Sequence, residues 1–227
     1  MSASPSGPHA QEVPLLAGVP LTEASHALVL THGRGGSASG MLPIARAAKA
    51  TGAALIAPVA AGQSWYPDRF LAPMPRNEPW LSSALERVEA AVALATAAGI
   101  PRERVILVGF SQGACLTLEY VARQAQAGAR FGGVAAFAGA LIGSDDEAAR
   151  WLHAPPAGSL AGTPVLLACG TSDLHIPEAR VRQSAEVFTA LGAAVDLQLY
   201  PGVGHDIVGD EIERLTAMVA AVVAAVA

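Results

Sequence analysis

The 227-residue sequence predicts one α/β domain: a mostly parallel sheet with helices on both faces. Two observations carry that reading. Short apolar runs of buried-strand type alternate with longer segments whose apolar residues recur at helical spacing. Hydrophobic residues make up 52% of the chain and charged residues 15%, which is enough for one substantial core, and there is no internal repeat.

In chain order, residues 1–20 read as a flexible start, "MSASPSGPHAQ", followed by an edge strand or hairpin in "VPLLAGVPL". The single domain then occupies 21–227. Strands are expected at 26–31, 53–58, 104–109, 132–138, 164–170 and 195–200, and helices near 40–50, 79–98, 112–127, 178–191 and 210–226. In the last helix Ile212, Leu215, Val219, Val222 and Val226 form one apolar stripe. "SDDE" at 144–147 has the form of a capping box, with Ser144 and Glu147 satisfying free N–H groups of a short helix. Only that one small helix fits between Ala138 and Pro164, so no large lid is expected.

Composition removes several function classes. A net charge of −5 gives no electrostatic footprint for nucleic acid. The longest purely apolar run, "AMVAAVVAAVA", falls well short of the roughly twenty residues a membrane-spanning helix needs. Cys115 and Cys169 lie in buried-type segments and read as core thiols, not as a disulfide framework. The first basic residue is Arg34, so no charged leader region precedes it, and the expected compartment is the cytoplasm.

The chemistry starts at "VILVGFSQGACLTL", residues 105–118. Gly109-Phe110-Ser111-Gln112-Gly113 matches G-x-S-x-G, a sharp strand-to-helix turn that lifts a serine hydroxyl clear of the backbone. The bare pattern is weak, since a Gly- and Ser-rich chain produces it by accident. Its context is specific: a β-branched run precedes it and a helical pattern follows. The competing reading is a structural serine at a helix start.

A serine hydroxyl becomes a nucleophile when a base takes its proton and a third group orients that base. For an elbow serine the expected chain order is Ser, then Asp or Glu, then His. "TSDLHIP" places Asp173 just beyond the strand at 164–170, and "PGVGHDI" places His205 just beyond the strand at 195–200. Both loops follow strand carboxyl ends, where open α/β sheets gather their ligands. Asp206 is too close in sequence to His205 to orient it, and Asp145 and Asp146 are minor alternatives on an earlier loop. His175 beside Asp173 lacks further ligands at metal spacing and reads as a histidine at the mouth of the site. His9, His26 and His153 have no such context. Donors for a developing oxyanion are expected from the backbone of Arg34, in "LTHGRGG", and of Gln112. A rival reading takes Gly33, Gly35 and Ala38 as a dinucleotide fingerprint. It lacks its ribose-binding carboxylate, because no Asp or Glu occurs between Gly33 and Asp68.

With "LTHGRGG", "GFSQGAC", "GTSDLHIP" and "YPGVGHDI" in view, the chain from about residue 25 onward resembles the phospholipase/carboxylesterase family of α/β-hydrolases. That resemblance implies an α/β-hydrolase fold and a Ser-Asp-His triad at Ser111, Asp173 and His205. It also implies oxyanion N–H groups at Arg34 and Gln112, no cofactor, no metal, and commonly a homodimer. The implied activity is cleavage of carboxylic esters, for which the lack of room for a large lid favours short to medium acyl chains, with lysophospholipase or acyl-thioesterase activity as the near alternative. A non-catalytic small-molecule-binding protein on the same fold is the alternative from another class. The residue after His-Gly is more often apolar in that family, so the Arg34 side chain bears on substrate preference. Trp65, Tyr66 and Phe70, in the aromatic stretch at 62–80, together with Leu141 and His175, are the expected pocket residues.

Overall fold

The computed structural model describes residues 7–153 and 160–225. Its centre is a seven-stranded sheet: β1 (Leu15–Gly18), β2 (His26–Thr31), β3 (Ala53–Ala57), β4 (Val105–Phe110), β5 (Gly133–Phe137), β6 (Pro164–Gly170) and β7 (Ala194–Tyr200). The spatial order is β1-β3-β2-β4-β5-β6-β7, with every pair parallel except β1 against β3. β2 to β5 are buried along their lengths apart from Phe110, as continuous apolar runs require when both sheet faces are covered.

Helices α1 (Leu42–Ala47) and α6 (Gly209–Ala224) cover one face, where Ala45, Leu215, Val219 and Val222 meet Ile106, Val108 and Phe137. On the other face, α2 (Trp80–Ala97), α3 (Gln112–Gln126) and α5 (Glu178–Ala190) pack Leu81, Val88, Leu116 and Phe188 against Val29, Leu107 and Leu167. The short α4 (Asp145–His153) is the one helix between β5 and β6 among the described residues. The Ser144–Glu147 capping box forms there, and both Glu147 carboxylate oxygens also accept from Met74 N–H. No helix among the described residues is long and apolar enough to cross a membrane.

Three expectations are narrowed or changed. The segment before β2 makes an edge strand and no hairpin, because β1 finds its partner in β3. In α6, Glu211 is buried beside Leu215, while Ile212 is only half-buried; Val226 lies outside the described residues. The Glu211 carboxylate turns inward to accept from Val208 N–H at the helix start. The third change concerns the N-terminal segment, where His9 is packed and not loose. Its Nδ1 accepts from Ala61 N–H at 3.0 Å and its Nε2 donates to the Trp65 carbonyl at 2.9 Å. Its ring stands edge-on to Trp65 and Trp80. These partners are more than fifty residues away in sequence, so no local pattern announces them.

β2 and β4 are neighbours, yet the chain leaves β2 toward β3 on one side and β4 toward β5 on the other. The order therefore reverses between β2 and β4, and a crevice opens at their carboxyl ends.

Candidate active site

Ser111 occupies that crevice with φ 55° and ψ −122°, a conformation that non-glycine residues rarely adopt. Close packing enforces it. A Cβ at Gly113 would lie 2.3 Å from the Thr31 carbonyl oxygen and 2.5 Å from that of His32, and one at Gly109 would lie 2.6 Å from the Ala114 Cα. Only glycines let α3 return so tightly against β2 and β4. Ser111 N–H is tied to the Phe137 carbonyl at 2.9 Å, and Cys115 N–H to the Ser111 carbonyl at 3.0 Å.

The loops after β6 and β7 meet over this serine. A Cβ at Gly170 would stand 2.1 Å from the Val203 carbonyl oxygen, and Ser172 N–H donates to that carbonyl at 2.9 Å. Asp173 is thereby delivered to His205. His205 Nδ1 lies 2.6 Å from Asp173 Oδ2, and His205 Nε2 lies 2.8 Å from Ser111 Oγ. Asp173 Oδ1 accepts from the N–H groups of His175 at 2.7 Å and Ile176 at 3.0 Å. The Cys169 thiol is 3.7 Å from Oδ2.

Burial by itself would push the Asp173 carboxyl up. The bond from His205 and the two backbone N–H bonds outweigh it and hold the group below its ordinary value. A charged carboxylate only accepts, so its bond puts a proton on His205 Nδ1, and in the neutral ring Nε2 is then the lone-pair nitrogen facing the serine hydroxyl.

The loop after β2 forms the opposite wall. Neither Arg34 N–H nor Gln112 N–H donates to another group among the described residues, whereas Gly35 N–H and Gly36 N–H are both taken. The loop is braced from behind. Trp65 Nε1 donates to the His32 carbonyl at 2.7 Å, and Ala60 N–H reaches His32 Nε2 at 3.4 Å. The Gln112 side chain clamps the 64–66 segment, accepting from Trp65 N–H at 3.0 Å and donating to the Tyr66 carbonyl at 2.8 Å.

A cavity of about 310 Å³ opens here, lined by Arg34, Tyr66, Arg69, Phe70, Ser111, Gln112, Cys115, His175, Ile176 and His205. Of the expected pocket residues, Tyr66, Phe70 and His175 are in this lining. Trp65 and Leu141 are not: both are fully buried outside the cavity. The Trp65 indole faces inward to bond His32, and Leu141 is drawn into the core because Arg180 Nη1 and Ser184 Oγ hold its carbonyl and N–H. Asp145 is bound to Arg180, and Asp206 accepts from Ile207 N–H, so neither orients His205. His175 reaches Asp173 through its backbone, with its ring edge-on to that of His205.

Arg69, Cys115 and Ile176 line the cavity without a sequence signal of their own. Cys115 looks like an ordinary helix residue, and only the elbow's backward turn brings its face to the site. Burial pushes its thiol up to about 12, so it is a neutral wall atom. Among the described residues no group of three or more His, Cys, Asp or Glu side chains is arranged to hold a metal ion.

The sequence and the fold match known proteins. Residues 19–223 fit the family model described as Phospholipase/Carboxylesterase. The crystal structure of a phospholipase/carboxylesterase from Dyadobacter fermentans superposes with a TM-score of 0.82 at 39% identity, covering 95% of this chain and 99% of that one. An acyl-protein thioesterase 1 of Gibberella zeae is 32% identical over 119 residues, 52% of this chain and 48% of that protein. A probable carboxylesterase of Arabidopsis thaliana, described as SOBER1-like, is 29% identical over 144 residues, 62% of this chain and 51% of that protein. The matched regions thus span about half the length of these two curated relatives. With the sheet order, the elbow serine and the family match in agreement, the chain has the α/β-hydrolase fold and belongs to the phospholipase/carboxylesterase family.

Proposed function

We propose that the chain is a serine hydrolase that cleaves carboxylic esters of short to medium acyl chains through an acyl-enzyme on Ser111. The observation that carries this reading is the unbroken line from Asp173 through His205 to Ser111, at 2.6 Å and 2.8 Å. His205 Nε2 takes the Ser111 proton as Oγ attacks the ester carbonyl. The tetrahedral oxyanion accepts hydrogen bonds from the uncommitted N–H groups of Arg34 and Gln112. The intermediate collapses, the carbonyl–alkoxide bond breaks, and Nε2 hands its proton to the departing alcohol. Water then attacks the acyl-enzyme, giving a proton to Nε2. That proton returns to Ser111 Oγ as the acid leaves, and the cycle closes.

Cavity size supports the acyl preference. About 310 Å³ is at the small end for ligand sites. The thioesterase reading has its own support in the Gibberella zeae relative, and a thioester would use the same atoms. A cytoplasmic homodimer completes the proposal, and the mass in solution by light scattering checks the dimer. The deciding experiment is hydrolysis of p-nitrophenyl esters from acetyl to palmitoyl by the wild type and by Ser111→Ala. The expected result is turnover that peaks at short to medium chains and falls at least about 10⁴-fold in the variant. A folded wild type that turns over no ester would favour the non-catalytic binding protein.

A further inference from the structure

The cavity lining has an electrostatic character opposite to that of the whole chain. The protein carries 14 Lys and Arg residues against 19 Asp and Glu, yet the lining contains Arg34, Arg69 and no carboxylic acid. Neither guanidinium forms an ion pair among the described residues. The Arg34 head group donates only to neutral carbonyl oxygens, those of Pro67 at 3.0 Å, Tyr66 at 2.9 Å and Asp68 at 2.7 Å. These bonds fix the charge in place without cancelling it.

Two acids of the segments that flank the lining are already committed. Asp68 bonds Arg69 N–H through Oδ1 and pairs with Arg76 through Oδ2 at 2.8 Å. Asp173 lies behind His205, bonded to it and to two backbone N–H groups.

Two uncancelled cations in one small cavity are matched by oxygen atoms carrying negative charge.

We infer that Arg34 and Arg69 select esters that carry a carboxylate group over neutral esters of the same size. The inference rests on the proposed esterase chemistry at Ser111 and adds the charge of its substrate class. The two exposed head groups act by raising the local concentration of the anion and by holding its carboxylate while the ester carbonyl reaches Ser111. The preference is therefore sensitive to salt.

The test compares matched esters at low ionic strength. With charge on the acyl side, mono(4-nitrophenyl) adipate is set against its methyl ester; with charge on the alcohol side, 4-acetoxybenzoate is set against methyl 4-acetoxybenzoate. The expected result is a kcat/KM for the anionic member at least about tenfold above the neutral member in one arm, and that arm identifies the side. Arg69→Gln should reduce the ratio severalfold, Arg69→Glu should bring it below one, and 0.5 M NaCl should compress the wild-type ratio. Equal turnover of charged and neutral esters overturns the inference and leaves the esterase reading intact, as does a ratio that ignores Arg69→Glu. No turnover of any of the four esters by a folded wild type strikes the esterase reading itself.

Discussion

Ser111 combines two properties that conflict. Its hydroxyl stands 2.8 Å from His205 Nε2, and its backbone is held at φ 55°. A side chain in that region costs about 1–3 kcal/mol, and the Cβ that incurs this cost also carries the reacting oxygen. The two can be separated by substitution. Ser111→Ala keeps the Cβ and the strain, whereas Ser111→Gly removes both. Both variants should lose esterase activity, but only the glycine variant should unfold at a higher temperature, by the equivalent of about 1 kcal/mol once glycine's own entropy is charged. Differential scanning calorimetry of the three proteins measures this. Equal melting temperatures for the two variants would mean that the strain is relaxed elsewhere.

At the scale of elements, the site exists because four loops leave the carboxyl ends of β2, β4, β6 and β7 on one edge of the sheet. The critical joint is α3 against β2. Gly113→Ala places a methyl group 2.3 Å from a backbone carbonyl oxygen, with no flexible side chain to yield. The expected cost is about 3 kcal/mol, with a loss of kcat, because the shift moves His32 and the oxyanion loop. Chemical denaturation and steady-state kinetics on one preparation check both effects.

This joint also shows what the sequence makes legible. The strand-glycine-helix order is local, so 105–126 could be read directly, and Asp173 and His205 followed from strand ends and chain order. The braces of the oxyanion loop were not legible. Gln112 reads as a backbone donor only, yet its amide ties residues 64–66. His9 and Trp65 read as a terminal and a pocket residue, yet both serve as supports beneath the loop. Such contacts depend on where distant segments lie in space, and neither period nor spacing encodes that.

For the whole molecule, pH stability follows from four buried groups. Burial lowers His9, His26 and His32 below 6.5, so each is favoured as the neutral ring in the folded state. Their contribution is full above 6.5 and is lost as pH falls below it, because the unfolded chain takes up the protons first. Glu211 acts in the opposite sense. Burial raises its carboxyl from 4.5 to about 7, so stability falls as pH rises through that window. Just below 6.5 the two effects oppose each other, three histidines against one carboxyl group. The net slope there is at most about 3 kcal/mol per pH unit, and maximum stability lies close to neutrality. Melting temperatures from pH 4.5 to 8.5 test this, and Glu211→Gln should remove the decline toward pH 7 while leaving the acid-side loss. Unfolding that is indifferent to pH from 5 to 6.5 would contradict the burial of the histidines.

The position of Trp65 has an optical consequence. Its indole is shielded from water, bonded to the backbone of the oxyanion loop and flanked by the rings of His9 and His32. Indole emission shifts to longer wavelength on contact with water. The protein thus carries a chromophore behind its own reaction centre, and once the other two tryptophans, Trp80 and Trp151, are replaced by phenylalanine, the colour of the remaining emission reports whether that wall is intact, with no label and no substrate added.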